Sequence, residues 1–192
     1  IIMRDALQVV RRKLINVIGN PARFADSYKA MPALAYTHLQ PAQLTTVGKR
    51  ATLWINELLM DLEEIDHRIA SLKLLGSKGT TGTQASFMEL FEGDSSKVKQ
   101  LEQMIAEEMG FDAVVPVSGQ TYSRKVDAQV LAALGGVAQS ASKFANDMRI
   151  LHRAGALTAA VPALYLRLPA GNRLAREEQL TQDFNAPILK VR

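Results

Sequence analysis

Apolar residues recur at steps of three or four from Leu44 through Val47, Ala51, Trp54, Leu58, Leu62, Ile65, Ile69 and Leu72 to Leu75. This period sets all ten side chains on one helical face. At a rise of 1.5 Å per residue the helix would run for roughly 45 Å. A small globular domain has no use for that length, whereas a bundle of long helices does. A second seam, Val126, Val130, Leu134, Val137, Ala141, Phe144, Met148 and Leu151, predicts another long helix. Small residues beside it, among them Ala132, Ala133, Gly135 and Gly136, let a neighbouring helix approach closely. The two glycines each cost about 1 kcal/mol of helix propensity, which packing must offset. The fold class expected is all-α, with very little strand.

Shorter helices are expected at 3–18, ended by Gly19-Asn20-Pro21, and at 22–30. Another is expected at 94–109, with Asp94 or Ser95 as cap and Gly110 as terminator. Between the long helices, Gly76 to Gln84 reads as a turn-rich loop and Val114-Val-Pro-Val117 as a short extended piece. Residues 1–151 therefore form one helical segment. Residues 152–192 form a divergent tail of weak periodicity, in which Leu174 to Leu180 could make a short helix.

Composition narrows the chemistry. The 192 residues are 47% apolar and 22% charged, ordinary for a globular protein and too apolar for a disordered one. With no cysteine, thiolate nucleophiles, disulfide scaffolds and cysteine-based zinc sites are excluded, and a reducing cytoplasm is the compartment that fits. No apolar run is long enough for a transmembrane helix, and no signal-peptide pattern opens the sequence. The opening IIMRDALQVV reads as the interior of an amphipathic helix, so further chain is expected upstream. The net charge of +4 comes from scattered Lys and Arg without interleaved aromatics. That suits a small anionic substrate better than nucleic acid.

The stretch AYTHLQPAQ sets His38 beside Thr37 and just ahead of Pro41. Proline fits the first position of a helix, and it pushes the residue before it toward extended backbone. His38 is thus expected on extended chain at the mouth of the long helix, where unpaired N–H groups favour an anion. An imidazole there suits general-acid work near neutral pH. A loop histidine making a structural hydrogen bond is the plainer alternative. The loop Lys78-Gly-Thr-Thr-Gly-Thr83 has the glycines and hydroxyls of an anion cradle but not P-loop spacing, and it is equally readable as a flexible turn. Gln120, in SGQTYSRK, is placed either to meet a ligand or to cap the second long helix. His67 and His152 read as surface residues, and Glu57, Glu63, Glu64 and Asp66 as a solvated helix face. Those carboxylates lack Glu-x-x-His partners, so no metal is expected.

Three stretches, MPALAYTHLQPAQLTTVGKR, GSKGTTGTQASFMELFEGD and SGQTYSRKVD, in this order and spacing, closely resemble the adenylosuccinate lyase family of the fumarase/aspartase superfamily. The likeness runs from about Asp5 to Leu151. It implies a homotetramer built around a bundle of long helices from all four chains. It implies β-elimination of fumarate from adenylosuccinate, giving AMP, and from the succinyl-carboxamide ribotide of purine biosynthesis, with no cofactor. It implies His38 as the general acid that protonates the departing nitrogen, Thr37 as a carboxylate-binding residue and Gln120 as a substrate-binding residue.

The family's base is a serine in a Ser-Ser-x-Met-Pro-x-Lys-x-Asn-Pro signature, which the residues after Leu151 do not contain. The family's N-terminal domain is absent as well. The chain is therefore expected to be an incomplete, inactive portion of such an enzyme. Two alternatives stand beside this: a non-enzymatic helical oligomerisation module, and another fumarate-releasing lyase of the superfamily.

Overall fold

Pro21 lies inside the first helix and does not end it. In the computed structural model, which describes residues 1–38 and 40–153, α1 runs unbroken over Ile2–Ser27. The expected break at Gly19-Asn20-Pro21 is absent. A mid-helix proline forfeits one backbone hydrogen bond. Pro21 is nevertheless buried together with Phe24 and Ala25, and that burial holds the last turns in register.

After α1 the chain forms an antiparallel hairpin, β1 at Pro32–Thr37 and β2 at Gln40–Thr46. Among the described residues the other elements are five helices: α1, α2 at Val47–Ser71, α3 at Ala85–Leu90, α4 at Ser95–Glu108 and α5 at Lys125–Arg153. The hairpin corrects the expected start of the long helix. Leu44 fits the helical step, yet it belongs to β2, pairs with Leu34 and is 80% exposed. Pro41 is a strand residue, not the first residue of a helix. A two-stranded sheet tolerates it because each strand has a free edge. The helix begins at Val47, where Thr46 Oγ1 caps it by accepting from the Lys49 N–H at 3.0 Å.

The described residues form two compact units, which the long helices enter in turn. One comprises Ile1–Ile15 and Leu59–Gln139. Its core is Leu7, Ile65, Val130 and Ala133, ringed by Met3, Val10, Ile69, Leu72, Leu134 and Val137. The second seam is thus a buried face, as its spacing predicts. This unit also contains α4, capped by Asp94, whose carboxylate accepts from the N–H groups of Ser96 and Lys97. Leu74 bridges Val114, so the piece around Val114 is extended as expected.

The other unit comprises Asn16–Leu58 and the described residues from Ser140 onward. Phe24, Ala25, Val47, Ala51, Trp54 and Met148 make its core, and the Trp54 ring meets Phe144 edge to face at 5.0 Å. Gly48 is required here. Its N–H donates to Tyr28 O at 2.9 Å, and a Cβ would stand 2.6 Å from Lys29 Cα and overlap Ala25 O. The tail beyond residue 153, with the short helix expected at Leu174 to Leu180, lies outside the described residues.

Candidate functional site

Thr37 and His38 sit at the tip of the hairpin, both exposed. Thr37 pairs with Gln40, so the connection is only His38 and Leu39. Two-residue connections of this kind need left-handed backbone, and His38 supplies it with φ +50. The expected anion seat on the helix N-terminus does not form. The N–H groups of Val47 and Gly48 donate to Met31 O and Tyr28 O, each at 2.9 Å, and that of Lys49 goes to Thr46. The first two donors join α2 to the chain just after α1, and the third goes to the cap.

His38 instead lines a cavity of about 550 Å³ with Lys49, Arg50, Trp54, Lys143 and Asp147. Its polar walls are firmly held. The Trp54 indole N–H donates to Asp147 Oδ2 at 2.8 Å. Lys143 Nζ bridges Glu57 at 3.2 Å and Asp147 at 3.3 Å. Burial alone would lower the Lys143 pKa, but its hydrogen bonds to the two carboxylates outweigh this and raise it, so it stays charged. Arg50 Nη2 donates to Leu34 O at 2.8 Å. Scattered basic residues gave no sign of this gathering. Lys49 and Arg50 stand out only once the start of α2 is known, because the first helical turn then aims them beside the hairpin.

Gln120 lies in the other unit, exposed, on the loop before α5. It does not cap that helix: the Lys125 N–H goes to Ser123 Oγ at 3.3 Å. Both flanks of Gln120 are fixed. Upstream, Gly82 at φ +81 presses on Ser118 and Gly119 so closely that a Cβ would overlap Ser118 O. Downstream, the Tyr122 hydroxyl donates to Asp127 Oδ1 at 2.8 Å, and Arg124 pairs with the same carboxylate at 3.0 Å. These two hydrogen bonds, from Tyr122 first and then Arg124, lower the Asp127 pKa, and the bond to Asp127 raises that of Tyr122.

The loop Lys78 to Thr83 is not an open anion cradle. Lys78 Nζ meets Glu102 Oε1 at 2.7 Å in a buried pair, so the cation is already matched. Gln84, at φ +59, closes the loop by donating its N–H to Lys78 O and its side-chain amide to Ser77 O. Of the carboxylates on α2, Glu63 and Glu64 are exposed as expected, whereas Glu57 and Asp66 are half-buried. Asp66 pairs with Arg11, and Glu57 with Lys143. His67 and His152 are exposed as expected. Among the described residues, no group of three or more His, Cys, Asp or Glu side chains is placed to hold a metal ion.

A sequence model of a protein family described as lyase matches residues 1–163. The chain is 54% identical over 151 residues to adenylosuccinate lyase of Saccharomyces cerevisiae, covering 79% of this chain and 31% of that protein. Adenylosuccinate lyase of Schizosaccharomyces pombe is 51% identical over the same shares, and that of Schistosoma mansoni 41% identical over 79% of this chain and 32% of that protein. The chain thus spans about a third of the length of these relatives. Among solved structures, fumarate lyase from Mesorhizobium sp. BNC1 superposes with a TM-score of 0.67 at 23% identity, over 78% of this chain and 33% of that one. The 3-carboxy-cis,cis-muconate lactonizing enzyme from Pseudomonas putida gives 0.67 at 22% identity, over 80% and 33%. At such identities these two likenesses establish the fold alone.

Proposed function

The chain belongs to the lyase family whose sequence model it matches, and on that premise we propose that it carries the general-acid segment of an adenylosuccinate lyase. In this reading residues 1–151 supply one of several regions that together cleave adenylosuccinate to AMP and fumarate, and act likewise on the succinyl-carboxamide ribotide of purine biosynthesis. His38 protonates the departing nitrogen. Thr37 binds a substrate carboxylate, and Gln120 binds substrate through its amide. The observation that carries the proposal is the placement of His38: exposed, at a hairpin tip, in left-handed backbone, on the wall of a cavity. A β-branched or bulky side chain is costly there, whereas histidine is among the residues enriched in this region. A left-handed position at a hairpin tip is where a functional side chain is expected.

The chemistry asks for this arrangement. Abstraction of a proton next to a carboxylate builds negative charge that fixed donors must stabilise. Expulsion of the nitrogen then needs a proton from a group that titrates near neutrality. An imidazole on an exposed tip reaches a substrate held by other parts of the assembly. Apolar side chains left open on the helices, such as Leu131 at 67% and Met104 at 59% exposure, support burial against further copies of the chain. A homotetramer in the cytoplasm is part of the same proposal. Among the described residues, no helix is long and apolar enough to cross a membrane.

The test is a chimera. Residues 1–151 replace the matching segment of the Saccharomyces cerevisiae relative, and fumarate release from adenylosuccinate is followed. The chimera is expected to turn over, and His38→Ala to slow it by about 10²–10⁴-fold, the usual worth of a general acid. Equal rates for the chimera and its His38→Ala form would sink the assignment. The 192-residue chain alone is expected to release no fumarate.

A further inference from the structure

Two cations on the wall of the hairpin cavity have no carboxylate to match them. Lys143 is satisfied by Glu57 and Asp147. Lys49 and Arg50 pair with no acidic side chain among the described residues. Arg50 is held rather than loose, because Nη2 donates to Leu34 O at 2.8 Å. Its other terminal nitrogen, Nη1, is enclosed and meets no acceptor among the described residues. A charged donor shut away from water without an acceptor is costly, and the cost disappears when an acceptor arrives. The planar guanidinium fork matches the paired oxygens of a carboxylate or phosphate. Beside it, Leu53 and the Trp54 ring give the cavity an apolar wall.

We propose that Arg50, assisted by Lys49, is the seat of an anionic oxygen group, carboxylate or phosphate, on a small ligand that enters the hairpin cavity. The seat rests on the lyase reading only in that His38 lines the same cavity. It would orient such a ligand with residues that the proton transfer leaves idle. Asp147, already engaged by Trp54 and Lys143, is the one carboxylate on the wall among the described residues, and it repels an anion less than a free one would.

Trp54 is the only tryptophan in the chain and lines this cavity, so its fluorescence senses a ligand that enters there. Its fluorescence is followed while the 192-residue chain is titrated with fumarate, inorganic phosphate or AMP, and with adenosine as the uncharged control, at constant ionic strength. A saturable change with at least one anion, and none with adenosine, is expected. Saturation by fumarate alone makes the seat a carboxylate site, and saturation by phosphate and AMP makes it a phosphate site. Arg50→Met should weaken the apparent Kd by about tenfold or more, as for loss of a charge-assisted hydrogen bond. Lys49→Gln, at an exposed position, should weaken it about threefold without disturbing the fold. A response that never saturates, or an affinity unchanged in both variants, overturns the seat. The outcome is separable from the lyase reading: an inactive chimera with an intact titration removes the enzyme assignment and keeps the seat, and the reverse removes only the seat.

Discussion

Lys78 and Glu102 face each other at 2.7 Å with their side chains only 6% and 10% exposed. The pair ties the glycine-rich loop to α4, and Gly76 lies so near Glu102 that a Cβ there would stand 2.5 Å from its Oε1. Removing one partner strands the other charge in the interior. Lys78→Met is therefore expected to cost about 3–5 kcal/mol, whereas Lys78→Met with Glu102→Leu should recover most of it. Urea unfolding of the three proteins checks this; a double variant no better than the single one would show that the pair does not act as a unit.

Gly82 and Gly79 share left-handed backbone, at φ +81 and +73, but differ in their surroundings. Around Gly79 the nearest atom to a built Cβ is Ser86 Oγ at 3.8 Å, while Gly82 lies directly against Ser118 and Gly119. Gly79→Ala should lose only the backbone term, about 1–2 kcal/mol. Gly82→Ala should lose more and also loosen residues 118–121. Hydrogen exchange at those amides is the discriminating measurement, with faster exchange expected in Gly82→Ala alone.

Asp94 and Asp127 both have lowered pKa values, Asp94 chiefly through the Ser96 hydroxyl and Asp127 through the Tyr122 hydroxyl. A folded-state pKa below the unfolded one means the stabilisation is fully present above the unfolded value, near pH 4. It is lost as pH falls below that toward the folded value. The acid limb of the stability profile should therefore flatten in Asp94→Asn and Asp127→Asn, because stability falls above pH 5 and changes little near pH 2. Unfolding midpoints between pH 2 and 6 test the sign.

The backbone of His38 favours glycine. His38→Gly should relieve left-handed strain and raise stability by up to about 1 kcal/mol. The same change should slow turnover in the chimera by about 10²–10⁴-fold, as His38→Ala does. A stabilised and fully active His38→Gly chimera would leave the strain without a functional reason.

How much of this was legible depended on where packing was local. The seam from Val126 to Leu151 specified α5 because every step of three or four except the exposed Ala141 landed on a buried or half-buried position in one unit or the other. Asp94 and Gly110 marked the ends of α4 through chemistry confined to neighbouring residues. The seam failed at Leu44, where a helical step coincided with a strand residue. Nothing within Gln40–Thr46 announces a hairpin; its pairing with Pro32–Thr37 is what makes it one. Pro21 misled for the opposite reason: a local rule against helix was overridden by burial. At the candidate site, Thr37 and His38 drew notice through their neighbours in sequence. Arg50 and Lys143 were not, because they converge on one cavity from helices far apart along the chain. The Lys78 pairing was missed likewise, since Glu102 lies 24 residues away.

The join between Gly48 and Tyr28 links positions only about twenty apart, backbone to backbone. The Trp54–Asp147 bond in the same unit closes a span of 93 residues. Short spans lose less chain entropy on closure. The α1–hairpin–α2 corner is therefore the part able to take shape first as the polypeptide leaves the ribosome, with α5 docking onto a corner already made. Substitutions at Gly48 should accordingly slow refolding, and substitutions at Asp147 should mainly hasten unfolding.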